Sequence, residues 1–168
     1  LLSSGASVTQ FNNDGNTALH CASGAGHLDV VQLFLDSGAD MNSANFDGNT
    51  ALHLASRADC NTAYPCASRA AMRLNVAKLL LASGADVTQK NKSGDTALHV
   101  ASRAGRLDVA KLLLASGADV TQVNNNGNTA LHCASESGYL SVLQVLLASG
   151  ADVTQVNHDG NTALHLAA

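Results

Sequence analysis

The sequence predicts an all-α fold of stacked helix–turn–helix units, a solenoid with a β-hairpin finger projecting at each junction. Three observations carry this prediction. The string Gly-x-Thr-Ala-Leu-His-x-Ala occurs five times, starting at Gly15, Gly48, Gly94, Gly127 and Gly160, with spacings of 33, 46, 33 and 33. A second string, Ser-Gly-Ala-Asp or Ser-Gly-Ala-Ser, recurs at Ser4, Ser37, Ser83, Ser116 and Ser149 with the same spacings. Between the two markers, apolar residues recur every three or four positions, as on one face of a helix. Self-similarity at such a period is the signature of a repeat architecture.

In chain order, residues 1–13 form the second half of a unit, opening inside a helix at Leu1-Leu2. Complete units follow at 14–46, 47–92, 93–125 and 126–158, and residues 159–168 begin a further one. The unit at 93–125 shows the logic. Thr96 caps a first helix carrying Ala97, Leu98, Val100 and Ala101. Gly105 ends it, and a second helix follows with Val109, Leu112 and Leu113 on one face. Gly117 supplies the left-handed residue that stops the second helix. The stretch from Asp119 to Gly127 is rich in Asn and closes on Asn-Gly, with Asp-Gly at the matching corners Asp14-Gly15, Asp47-Gly48 and Asp159-Gly160. Those dipeptides favour a two-residue hairpin turn in which both central residues take positive φ.

The unit at 47–92 is the irregular one. It has 46 residues against 33, so 13 are extra, lying between Ala58 and Arg73. The inserted segment, about 59–72, holds the only Pro (Pro65), Tyr64, and Cys60 with Cys66. A loop over 59–64 is expected, then an added helical stretch beginning near Pro65 and running into the second helix. Such an insertion falls on the rim away from the fingers, as a private docking element or a tolerated surface loop. A Cys60–Cys66 disulfide is sterically conceivable, but a reducing compartment disfavours it.

Composition narrows the function classes. The 168 residues suffice for one domain with a sizeable core. Apolar residues make up 46%, yet aromatics are 3% and Trp is absent, so the core must be Leu, Ala and Val in closely packed thin helices. Net charge is −4 and neither sign forms a run, so the basic stripe of a nucleic-acid binder is missing. No apolar stretch approaches the roughly 18 residues of a membrane span, and no membrane insertion is expected. Four cysteines at irregular spacing do not make a disulfide framework, which points to reduced thiols in a cytoplasmic protein. The chain lacks an initiator Met and has no polar capping unit at either end, so a piece of a longer protein is expected.

Residues that look like chemistry are better explained as scaffold. His20, His53, His99, His132 and His165 occupy one repeat position. Equivalent residues of stacked units lie about 10 Å apart, whereas Zn–N bonds are about 2.0–2.1 Å, so neighbours cannot share an ion. Cys21 beside His20 and Cys133 beside His132 are sequence-adjacent on helices, so their side chains diverge by about 100°. A Cys nucleophile needs its base within hydrogen-bond reach. Gly24-Ala25-Gly26 follows no strand and continues into no phosphate-binding pattern. No catalytic, metal-binding or cofactor-binding residue, and no small-molecule substrate, is expected.

The period and the Thr-Ala-Leu-His-x-Ala string resemble the ankyrin repeat, whose signature is T-P-L-H-x-A. The resemblance covers essentially the whole chain, with one consistent departure: Ala18, Ala51, Ala97, Ala130 and Ala163 stand where the family has Pro. Ala is a good helix former, so the first turn survives. The resemblance implies that the pairs Thr17/His20, Thr50/His53, Thr96/His99, Thr129/His132 and Thr162/His165 are structural, each imidazole bonding its Thr and the hairpin backbone. It also implies a protein–protein interaction scaffold whose partner is gripped by finger tips and the concave first-helix face. Carried over by position, the candidate partner-binding residues are Phe11, Asn13, Phe46, Asn49, Lys90, Lys92, Asp95 and His158 at the tips, with Arg57, Arg103 and Glu136 on the first helices.

Two groups stand out. Phe11 and Phe46 fall on expected exposed loops, either as anchors for a partner or packed on each other's fingers. Lys90 and Lys92 make the one basic tip, with Arg57 and Arg103 beneath it, a patch suited to an acidic partner segment unless it is simply solvated. Two other roles fit the same residues: a regulatory or targeting module of an enzyme or channel encoded elsewhere, and an architectural element of a large assembly. A designed array is disfavoured by the four Cys and the irregular insertion.

Overall fold

The computed structural model describes residues 7–57 and 66–167. The expected helix at Leu1-Leu2, the loop over 59–64, Pro65 and the Cys60–Cys66 pairing lie outside the described residues. Among those residues there are nine helices and no strand. The chain divides into two compact units, residues 1–55 with 59–86, and residues 56–58 with 87–168.

The first unit contains α1 (Ala18–Ala25), α2 (Leu28–Asp36), α3 (Ala51–Ser56, whose last residue falls in the second unit) and α4 (Cys66–Ala82). Here α1 packs on α2 and α4, and α2 on α4. The second unit contains α5 (Ala97–Arg103), α6 (Leu107–Ala115), α7 (Ala130–Glu136), α8 (Leu140–Ala148) and α9 (Ala163–Leu166). The first helices form one row, α5 on α7 on α9, and α6 lies on α8 in a second row.

Each first helix begins at the Ala that replaces Pro. At α1, α5, α7 and α9 the preceding Thr has extended backbone and the His three residues on completes a reciprocal capping box. The core is small, as the composition requires. Leu19, Leu52, Leu98 and Leu131 are buried at one repeat position, and Ala22, Ala55, Ala101 and Ala134 at another. Second helices stop where Gly38, Gly84, Gly117 and Gly150 take φ of 82–95°.

The insertion shows itself in α4, which runs for 17 residues where α2, α6 and α8 have nine. The added turns carry Arg73 into the first unit's interior, 3% exposed, with Nε donating to the Gly24 carbonyl at 2.6 Å. Met72 closes over the turn after α1, where a Cβ on Gly26 would stand 2.9 Å from the Met72 Cβ. The extension is thus packed on α1, not held away from the body.

Candidate functional site

Finger construction departs from the expected two-residue hairpin. Among the described residues no non-Gly residue has positive φ, so Asp14 or Asn126 cannot be the first central residue of such a turn. Instead the Asn three places before each Gly brackets a three-residue loop. In the first finger the Gly15 amide donates to the Asn12 carbonyl at 2.9 Å and the Asn12 amide to the Asn16 carbonyl at 3.0 Å. The same pair of bonds recurs at Asn45, Asn91, Asn124 and Asn157. Only the Gly takes the left-handed conformation, the pattern of a tight turn closed by a glycine bulge. The Asn side chain fills the loop from within: Asn124 Oδ1 accepts from the Asn126 and Asn128 amides, both at 3.0 Å. Among the described residues, regular pairing is limited to single bridges, Phe11 with Thr17 and Val156 with Thr162.

Within each of the two units, neighbouring fingers are bonded to one another. The Phe46 amide donates to the Asp14 carbonyl, Asn125 to Ser93 and His158 to Asn126, at 3.0–3.1 Å. The bulge Gly makes this approach possible, since a Cβ on Gly127 would lie 2.8 Å from the His158 amide nitrogen. A ladder of side chains runs beneath. Asn45 Nδ2 donates to Asn16 Oδ1 at 2.7 Å, Asn124 to Asp95 Oδ1 at 2.8 Å and Asn157 to Asn128 Oδ1 at 2.8 Å.

The repeated His fastens first helices to this array. His99 Nδ1 accepts from the Thr96 amide at 3.2 Å and lies 2.9 Å from the Thr96 hydroxyl, while Nε2 reaches the Asn128 carbonyl at 3.0 Å. A carbonyl can only accept, so Nε2 carries the proton and Nδ1 is the acceptor. His20 reaches Asn49 and His132 reaches Asn161 in the same way. Each of these three imidazoles therefore ties its helix to the following finger, 29 residues on, as well as to the end of its own. Burial pushes the His20 and His99 pKa values down, which keeps those rings neutral.

One position breaks the ladder's chemistry. The residue after the bulge Gly is Asn in four fingers and Asp95 in the third. Burial alone would raise the Asp95 carboxyl, but hydrogen bonds from Arg103 and Asn124 outweigh it and hold the group below the usual carboxylate range. Arg103 grips it with both nitrogens, Nη1 to Oδ2 at 2.7 Å and Nη2 to Oδ1 at 3.2 Å, and Nη2 also lies 3.3 Å from Cys133 Sγ. The bonded carboxylate raises the Arg103 pKa. Burial pushes the Cys133 thiol up to about 11, so it is an unreactive filler.

Asp95, Arg103 and Asn124 floor a cleft of about 580 Å³ between the third and fourth fingers, with Lys92, Asn125, Asn126 and Glu136 on its walls. The cleft gathers Lys92, Asp95, Arg103 and Glu136 out of the candidate partner-binding residues. Two candidates are corrected. Asp95 and Asn49 were expected exposed at finger tips, but they are 3% and 8% exposed, because the position after the bulge Gly faces the ladder. The basic patch also contracts: Arg103 is engaged by Asp95, Lys90 Nζ donates to the Val123 carbonyl at 2.8 Å, and Arg57 does not line the cleft. Arg57 follows the end of α3 rather than lying on it, and its carbonyl accepts from Arg106. Phe11, Asn13, Phe46, Lys92 and His158 are exposed on their fingers, and Glu136 is exposed at the end of α7. Phe11 and Phe46 do pack on each other, edge to face with ring centroids 5.7 Å apart. The Asn residues at 12, 45, 91, 124 and 157 are the functional scaffold that went unnoticed, although an Asn precedes every repeat Gly by three places.

A family profile for ankyrin repeats, in three copies, matches residues 1–64 and 66–157, and the chain belongs to that family. Ankyrin repeats are in general protein–protein interaction modules and typically non-catalytic. No curated protein matches the chain by sequence. Among the described residues no three His, Cys, Asp or Glu side chains converge as a metal site, and no helix is long and apolar enough to cross a membrane.

Proposed function

We propose that the chain is a scaffold that binds a partner protein through its finger tips and the exposed ends of its first helices, with the cleft between the third and fourth fingers as one docking place. The observation that carries this reading is the cleft itself: charged groups of both signs, Lys92 and Glu136, stand at a polar groove whose floor is locked by the Asp95–Arg103 pair. Fingers held by backbone bonds lose little freedom on binding, which favours affinity. The mixed charge suits a polar segment of matched pattern better than a uniformly acidic one. A cytoplasmic setting fits Cys21 and Cys133, both of which are free thiols.

The test is affinity capture with the wild-type chain and with Lys92→Glu and Glu136→Lys variants, each checked for unchanged helix content. Charge reversal is expected to remove specific partners from the captured set. An identical set from all three proteins overturns the assignment of this cleft.

A further inference from the structure

We propose that the tips of the first two fingers form a second recognition surface, specific for a basic protein segment whose arginine or lysine side chains dock on Phe11 and Phe46. This surface goes beyond the cleft and lies wholly in the first unit.

The two rings meet edge to face at 5.7 Å and 64°, yet Phe11 remains 66% exposed and Phe46 54%. Their mutual contact therefore leaves most of the aromatic surface in water. Both are held by backbone. Phe11 is bridged to Thr17, and the Phe46 amide donates to the Asp14 carbonyl. The Phe46 ring sits on the bare face of Gly15, where a Cβ would lie 2.4 Å from Phe46 Cδ1.

Nothing in the scaffold demands aromatic residues here. At the position of Phe11 the later fingers carry Ala44, Lys90, Val123 and Val156, and at the position of Phe46 the other fingers have Asn13, Lys92, Asn125 and His158. The charge carried by these two fingers is one-sided. Exposed Asp14 and Asp47 flank it in sequence, and residues 1–56 contain five Asp and no Glu, Lys or Arg. An aromatic face attracts a cation within about 6 Å of the ring centre. Nearby carboxylates add to that attraction and steer its approach. An acidic partner is repelled, and a neutral apolar one would strip water from Asp14 and Asp47 without replacing it. A basic segment alone uses both features.

The test titrates fluorescent peptides of alternating glycine with arginine, lysine or citrulline into the full chain, at low and raised salt. The repeats themselves supply substitutions compatible with the fold. Phe11→Val with Phe46→Asn copies Val123 and Asn125, and Asp14→Asn with Asp47→Asn copies Asn126. Arginine and lysine peptides are expected to bind and the citrulline peptide not to. The Phe pair variant should weaken binding about 2- to 5-fold for each ring lost, with the salt dependence kept. The Asp pair variant should weaken it and flatten the salt dependence. Citrulline binding equal to arginine, wild-type affinity in the Phe variant, or no arginine binding each overturns the proposal. Because the probe is a defined peptide and the variants lie in the first unit, failure here leaves the cleft reading standing, and the reverse holds too.

Discussion

Replacing His99 by Ala tests whether the repeated imidazole is a structural fastener. The ring is 1% exposed and makes three polar contacts: the Thr96 amide at 3.2 Å, the Thr96 hydroxyl at 2.9 Å and the Asn128 carbonyl at 3.0 Å. A neutral hydrogen bond contributes about 1 kcal/mol net, and a buried donor left without a partner costs about 1–3 kcal/mol. Thr96 is 3% exposed, so its amide is such a donor once the ring is gone. Loss of the ring also leaves a cavity among Leu and Ala side chains that relax only partly. Together these give an expected loss of about 3–5 kcal/mol.

The assay is urea denaturation followed by far-UV circular dichroism, since the chain has no Trp to report. His165→Ala is the internal control. His165 keeps the Thr162 contacts, at 3.1 and 2.8 Å, but is itself exposed. Its replacement should cost about 1 kcal/mol or less. Because neighbouring repeats are coupled, the His99 loss should shift the transition of the second unit rather than melt one finger alone. Equal midpoints for the two variants would refute the fastener role.

Three further outcomes are expected. Stability should fall as pH drops below about 6.5, the unfolded His value: folded His20 and His99 have lower pKa values, so the unfolded chain binds more protons in that window. Urea midpoints measured between pH 8 and pH 5 check this, and a flat profile contradicts it. Gly127→Ala should cost about 2 kcal/mol or more, because φ is +75° and the new Cβ would lie 2.7 Å from His158 Cδ2. Gly150→Ala, with φ of +89° but open space around it, should cost about 1 kcal/mol, so thermal melts must rank the two in that order. Arg103→Ala should destabilise by about 1–3 kcal/mol by stranding the Asp95 carboxylate. Adding Asp95→Asn, which restores the residue of the other four fingers, should recover most of that loss, and a double-mutant cycle measures the coupling.

Helix boundaries were legible because their determinants are local. Thr before Ala, and Gly after the second helix, fix the ends whatever packs around them, and the 33-residue period sets the phase. The finger turn departs from the local signal for the same reason in reverse. Asp-Gly and Asn-Gly point to a two-residue turn when only the dipeptide is considered, but the Asn three places upstream supplies Oδ1 as an acceptor and stabilises the longer loop. The His and Asn side-chain contacts that join one repeat to the next connect residues 29 apart, from His20 to Asn49 or from Asn124 back to Asp95. That separation is four short of the period, so it shows in the sequence only when the Asn column and the post-Gly column are compared across units.

Asp95 shows what such a comparison yields. Taken by position alone it is a charged finger residue, and exposure is the ordinary expectation for Asp. Set against Asn16, Asn49, Asn128 and Asn161, it is the single acid in a column of neutral amides, of which Asn16 and Asn128 accept in the side-chain ladder. A buried carboxylate must be neutralised or paired, and Arg103, at the end of the helix that Asp95 precedes, does so with both guanidinium nitrogens. Arg57 stands where that column of helix ends has its other Arg, after a finger whose residue following the Gly is Asn49 rather than an acid. The Asn-to-Asp change and the nearby Arg therefore belong together as one feature. That feature engages Arg103 with Asp95 and leaves Lys92 and Glu136 as the exposed charges lining the cleft.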